Sequence, residues 1–429
     1  METSLIGLAV ALLGGLMMSR LTKLLNLPAV TAYLVAGLAL GPYCIGALGI
    51  NGIGFSSLEA VEGLSIITQT ALGFIAFSMG NEFRLGHLKN MGAKAIIIGI
   101  AQAVFTTITV DIALIALHFI APSIISIPAA LTLGAIASAT APAATLMVVR
   151  QYKADGPLTR LLMLVVAIDD AVGLLLFSVS FGIATALETG SANVVSVIVE
   201  PIVEVVLSLL LGCITGFLLH AVERFFHSRS KRMTISVAFV LLTVGLSMLE
   251  FEIGGIHCCF SLLLSCMMTG TIFCNVCDTS EELMNRVDGW TVPLNILFFV
   301  ISGAELDLQI LASPVTLIVG VVYLIARSLG KYTGAYGSCM LTKCSKSITS
   351  NLGITLLPQA GVALGMAITA TALSDGHIVR NVVLFCVLIY ELVGPSLTKR
   401  SLTLAGEINP EGKTSARVLN KPKPPVSIH

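Results

Sequence analysis

Runs of about 20 consecutive apolar residues recur along the whole of a 429-residue chain. A helix of that length rises about 30 Å, the thickness of a bilayer's hydrocarbon core. In hydrocarbon every backbone amide and carbonyl must be satisfied within the chain, which leaves helices as the solution for segments of this kind. Composition agrees. Apolar residues make up 56% and charged residues 11%, against about a quarter charged in a soluble protein, and the mean hydropathy is +0.96. The chain reads as an all-α polytopic membrane protein. That overrides the two or three soluble domains that length alone would suggest.

Polar punctuation divides the chain into about 13 segments of spanning length, near 4–20, 28–47, 60–82, 93–119, 125–150, 158–187, 194–224, 233–250, 256–275, 290–305, 313–339, 349–375 and 379–398. The first lacks a basic stretch before it and is read as a span, not a leader. Lys and Arg fall on alternate loops: Arg20 and Lys23, then Arg84, Lys89 and Lys94, then Arg150, Lys153 and Arg160, then Arg224 to Arg232, with Arg380 the exception. The positive-inside rule then puts the N-terminus outside and the C-terminus in the cytoplasm, as expected for a multi-pass protein of the plasma (inner) membrane. Residues 1–400 form one membrane domain. The tail 401–429, with KPKPP at 421–425, is expected to be a short disordered cytoplasmic segment.

The formal net charge is zero, so nothing points to nucleic acid. No glycine-rich phosphate loop or nucleophile–base pairing occurs, so neither an enzyme nor a cofactor is expected. Ten cysteines are present, several within apolar runs. Cys274 and Cys277 form a CxxC, a weak redox or zinc signal without a second pair or a histidine cluster.

Ionisable residues deep in a span cost about 2.5–3.5 kcal/mol each on insertion scales and need a reason to be there. Asp169 and Asp170 stand side by side in LVVAIDDAVGLLLF (164–177), about twelve residues and roughly 18 Å into the sixth segment. Neighbours on a helix point about 100° apart, so one can meet a fixed cation while the other faces a cavity. The deep cation is Arg327, near the middle of the eleventh segment. It is always charged and must be paired there. Lys331, one turn on, is expected to snorkel toward the interface. Asp111, Glu200 and Glu204 are further acids in spans, with roles left open.

Two segments are interrupted. LTLGAIASATAPAATLMVV carries Ser138, Thr140 and Pro142 at its centre, and GITLLPQAGVALGMA carries Pro358, Gln359 and Gly361. A proline removes an amide donor and frees carbonyls nearby. The fourth to sixth and eleventh to thirteenth segments form similar triplets. Corresponding segments are offset by seven, an odd number, so the triplets insert in opposite orientations, as an inverted repeat does. Paired broken helices in such positions point to an ion site at the midplane.

In order along the chain, these stretches resemble the monovalent cation/proton antiporter superfamily, the Na+/H+ antiporters of double-aspartate type. LPAVTAYLVAGLALGP (27–42) is similar to the family's second span and ASATAPAATLMVV (137–149) to its first crossing helix. AIDDAVG (167–173) resembles the paired-aspartate motif, LIARSLGKYTGA (324–335) the span with the basic residue, and PQAGVALGMA (358–367) the second crossing helix. The resemblance covers nearly the whole chain. It implies thirteen helices and two crossing discontinuous helices. A core domain would lie chiefly at 60–187 and 313–398, and a dimerisation scaffold chiefly at 1–50 and 194–305. It further implies Asp170 as the carboxylate that carries ion and proton, Asp169 as the partner of Arg327, and Thr140 as an oxygen ligand, so that Asp170, Asp169 and Thr140 would hold Na+. Two departures stand out: Arg327 where lysine is usual beside a double aspartate, and Ala141 where one branch has an acid.

The function expected is secondary active exchange of Na+ or Li+ for H+ by alternating access in a homodimer. A K+/H+ exchanger or K+ efflux transporter of the same fold is the alternative. An organic-anion transporter or a non-transporting sensor is less favoured, because two carboxylates repel an anion. With arginine as the cation, proton cycling would rest on the carboxylates alone, since arginine does not give up its proton.

Overall fold

The computed structural model describes residues 2–24, 27–48, 54–189, 199–253, 256–306 and 313–408. Helices occupy all of the apolar segments read from the sequence. The first part holds α1 (Glu2–Leu24), α2 (Ala29–Leu40), the short α3 (Leu58–Glu62), α4 (Ser65–Met79) and α5 (Leu85–Ile120). The fifth segment is two helices, α6 (Ile127–Ile136) and α7 (Pro142–Gln151), followed by the long α8 (Pro157–Thr189). Then come α9 (Glu200–Glu223), α10 (Arg229–Ser247), α11 (Leu262–Val276), α12 (Ser280–Trp290) and α13 (Val292–Ala304). The last part is α14 (Pro314–Leu341), α15 (Lys346–Thr355), α16 (Gly361–Thr369) and α17 (Gly376–Leu404). Among the described residues, the one sheet is an antiparallel pair, β1 (Phe251–Ile253) and β2 (Ile256–Cys258), in the α10–α11 connection.

Seven helical stretches are long and apolar enough to cross a membrane, or eight if the 50° bend between α12 and α13 lies within one span. Their outer faces are apolar. Along α9, Ile202, Val206, Leu210, Ile214 and Phe217 are all exposed, while Ser208 and Thr215 are buried. That is the reverse of a soluble helix and suits a lipid surround.

Several prolines start helices, although Pro395 lies inside α17. Pro142, Pro157 and Pro314 each stand at the first turn of a helix, where the missing amide costs nothing. Ser126 and Ser313 cap α6 and α14 by accepting from the amides of Ala129 and Thr316. The tail boundary differs from expectation: α17 runs on through 401–404, and Glu407 folds back onto the start of α8. Residues 409–429 of the expected tail lie outside the described residues.

The two triplets, α5–α8 and α14–α17, pack into one body in which α14 lies along α5 and α15 reaches α8. Glycine makes the closest of these contacts possible. A Cβ on Gly330 would lie 2.9 Å from Thr106 Cα, and one on Gly334 3.1 Å from Gln102 Cα. Elsewhere α9 packs on α11, and α1 and α13 on α2. Helix α4, within the range expected for the core, packs chiefly on α10, α11 and α13 and also touches α7.

Candidate functional site

The site is built from two helix ends that break inside the protein. Helix α6 stops at Ile136 and α7 starts at Pro142. The residue before a proline is pushed out of the helical region, and Ala141 is extended at φ −77° and ψ 108°. On the other unit α15 stops at Thr355, and α16 follows Ala360, extended at φ −157° and ψ −147°. The two breaks cross and bond to one another. Ala141 N–H donates to the Pro358 carbonyl at 2.8 Å, and Gln359 Nε2 donates to the Ile136 carbonyl at 3.0 Å.

A broken helix leaves carbonyls without amide partners and concentrates negative dipole at its C-terminal end. Arg327 serves those carbonyls. Its Nε donates to Ala137 O at 2.9 Å, one terminal nitrogen to Leu357 O at 2.7 Å and the other to Ala139 O at 2.8 Å. Its guanidinium also lies over the Tyr390 ring, 4.4 Å from the centroid, a favourable stacking of cation on π-face. The buried arginine is thus compensated by three carbonyls from both breaks, and it does not pair with Asp169.

The cation on Asp169 is Lys331. Its Nζ lies 2.8 Å from Asp169 Oδ2, and it also donates to Thr140 Oγ1 at 2.9 Å and to the Ser138 carbonyl. Both partners are wholly buried. This overturns two expectations at once, the Asp169–Arg327 pair and a snorkelling Lys331. Lys331 is ten residues from the end of α14, about 15 Å of helix, too far for its stem to reach the interface. One departure noted in the sequence also disappears, since a lysine does stand beside the double aspartate.

Asp169 has further partners. Thr140 Oγ1 donates to its Oδ2 at 2.5 Å, and Gln102 Nε2 from α5 donates to Oδ1. Asp170 differs. It is only 6% exposed, and its Oδ1 is buried with no hydrogen-bond partner. One carboxylate is held from three sides while its neighbour is left with an unused oxygen. Thr140 lies in the break as expected, but its hydroxyl is already engaged with Asp169 and Lys331.

Lys331, Gln102, Gln359 and Tyr323 are the site residues not recognised in the sequence. Tyr323 and Gln359 bond to each other, with Gln359 Nε2 2.9 Å from the tyrosine hydroxyl. A signal for Lys331 was present: Tyr323, Arg327 and Lys331 fall at i, i+4 and i+8, one face of a helix. Gln102 stands as the one amide in the apolar stretch IGIAQAVFTT (98–107). The other acids lie apart. Asp111 packs over Gly134 with a buried, unpartnered Oδ1, and Glu204 hydrogen-bonds Cys259.

The sequence profile described as "Sodium/hydrogen exchanger, transmembrane" matches residues 8–402. The chain belongs to the sodium/hydrogen exchanger family. It is a multi-pass membrane cation/proton antiporter and not an enzyme. No curated protein sequence matches it. Among solved structures the exchanger resembles the sodium proton antiporter MjNhaP1 from Methanocaldococcus jannaschii at pH 8, with a TM-score of 0.68 and 18% identity over 95% of this chain and 99% of that one. An electron-microscopy map of the same antiporter gives a TM-score of 0.70 and 16% identity over 94% of this chain and 98% of that one. At that identity the likeness establishes the fold of the exchanger.

Proposed function

We propose that the exchanger carries Na+ or Li+ in one direction and H+ in the other, with Asp170 as the shared site. The observation behind this reading is the asymmetry of the aspartate pair. Asp170 holds a buried oxygen that no protein group satisfies, and leaving such a group unmade costs about 1–3 kcal/mol or more when charged. A proton or a bound cation removes that cost, and the two compete for the same oxygen. Sodium is a hard cation that takes oxygen ligands; Asp169, the next residue, and Thr140, which bonds Asp169, would turn oxygens to it on binding.

Lys331 supplies a second proton carrier. Lysine, unlike arginine, gives up its proton when its environment changes. When a cation draws Asp169 into its shell, the Lys331–Asp169 pair loosens and the ammonium can release its proton. Two protons then leave for each monovalent cation bound, one net charge moves per cycle, and exchange responds to membrane potential.

Alternating access would move the body of α5–α8 and α14–α17 against the scaffold of α1–α4 and α9–α13, presenting Asp170 to each side in turn. The thirteen crossings, an outside N-terminus in the plasma membrane and a homodimer built on the scaffold belong to the same proposal. Proteoliposomes enclosing a pH-sensitive dye test it. Na+ and Li+ are expected to move protons, K+ is not, and an imposed potential is expected to change the rate. An equal response to K+ overturns the ion assignment. A rate indifferent to potential overturns the role of Lys331 as a proton carrier.

A further inference from the structure

A second cluster of ionisable side chains lies away from the crossing, where α9 ends beside the α11–α12 connection. His220 and Glu223 stand one turn apart at the end of α9, and Cys277 caps the end of α11. A ring nitrogen of His220, a carboxylate oxygen of Glu223 and the Cys277 sulfur all lie within 4.8 Å of one another. Glu223 and Cys277 are buried, at 1% and 6% exposure.

The surroundings orient these groups toward a common point. Arg232 holds Glu223 Oε1 at 2.8 Å, and Thr279 Oγ1 donates to the same oxygen at 3.3 Å. Glu223 Oε2 is turned to Cys277, whose sulfur is 3.4 Å away. Fixed outer contacts of this kind set the direction of a metal-binding carboxylate. An ion pair between Glu223 and Arg232 explains the glutamate but not the histidine, because His220 Nδ1 is buried with no hydrogen-bond partner. The CxxC does not act as a unit. Cys274 is turned away, its thiol donating to the Thr271 carbonyl at 3.2 Å, and the two cysteines are not joined in a disulfide.

We propose that His220, Glu223 and Cys277 form a binding site for a zinc-class divalent cation, separate from the transport site. Imidazole, carboxylate and thiolate are its usual protein ligands, at about 2.0–2.3 Å, with water completing the tetrahedron. Ligand atoms around such an ion sit about 3.5 Å apart. Cys277, in extended backbone beyond its helix at φ −98° and ψ 120°, can close the remaining distance. On binding, the thiol passes its proton to solvent and its sulfur electron pair to the ion. The bound ion ties the end of α9 to the connection between α11 and α12.

The test uses the full-length, untagged chain in detergent, titrated with Zn2+ in competition with a chromogenic chelator, and separately with Co2+. One zinc per chain is expected, together with the ultraviolet sulfur-to-cobalt charge-transfer band. His220→Ala and Cys277→Ser should each weaken zinc binding at least about tenfold, since even an outer partner is worth about that much. Cys277→Ser should also abolish the cobalt band, and Cys274→Ser should change neither readout. Metal-free melting curves verify that each variant is folded, with His220→Asn and Cys277→Ala replacing any that is not. The site is refuted if the wild type shows no zinc binding beyond the chelator's own, or if Cys277→Ser keeps the band and the affinity. Equal weakening by Cys274→Ser would move the site to the CxxC and also overturn it.

Discussion

Asp169 and Asp170 are adjacent in sequence and opposite in circumstance. Asp169 is bound by Lys331, Thr140 and Gln102, whereas Asp170 has a free buried oxygen. Removing one partner of a buried ion pair costs about 3–5 kcal/mol, because the other charge stays behind. Lys331→Ala is therefore expected to lower the melting temperature clearly and to abolish potential-dependent exchange. Arg327→Lys fails differently. Arg327 reaches its three carbonyls with three separate nitrogens, a spread that the single nitrogen of a lysine does not match, and hydrogen bonds to charged groups are worth about 1.5–3 kcal/mol each. Differential scanning fluorimetry should show Arg327→Lys destabilised; a melting curve like the wild type's would show that the carbonyl contacts do not hold the crossing together. At this scale Thr140 stood out through the interrupted segment and the resemblance, and the aspartates because they are costly residues in apolar runs. Their cation was not. A buried arginine needs compensation, but backbone carbonyls at a helix end carry no sequence signal, and they took Arg327 and left Lys331 for Asp169.

Among the elements, the interrupted helices could be read directly from Pro142 and Pro358, since a proline there leaves carbonyls that only a partner break or a cation can satisfy. Helix ends set by distant residues could not be read. The start of α8, the helix that carries both aspartates, is capped by Glu407 from beyond α17. That carboxylate accepts from the amides of Leu158 and Thr159 and from the Thr159 hydroxyl, each at 2.7 Å. Loss of a cap costs about 0.5–2 kcal/mol, so Glu407→Ala should lower the melting temperature modestly while leaving ion selectivity unchanged. A selectivity change would mean that the contact reaches the transport site. Gly330 is a sharper case. A Val there must displace Thr106 on α5 and with it the neighbouring turn that carries Gln102, so Gly330→Val should impair exchange even if the chain inserts normally.

For the molecule as a whole, the proposed alternating access would be felt at the end of α7. Arg150 there bonds Asp288 of α12 at 2.8 Å, and Ser78 of α4 donates to the same aspartate at 2.6 Å. In the proposed division this contact joins the body holding the crossing to the scaffold. The pair is partly exposed, so it is worth at most about 1 kcal/mol, or about a fivefold shift in a two-state population. Asp288→Asn should therefore lower the apparent KM for Na+ presented from that face by up to about fivefold in sided vesicles. An unchanged KM would remove the contact from the transport cycle. Hydropathy made the polytopic helical class plain, but not which helices α4 packs against, because a span's neighbours depend on packing that one segment's sequence does not encode. Asp170 is the group that ion and proton are proposed to share. Na+-driven proton movement in proteoliposomes of Asp170→Asn, set beside the wild type, tests that directly: none above empty vesicles is expected in a variant that remains folded, and exchange retained near the wild-type rate would contradict the shared site.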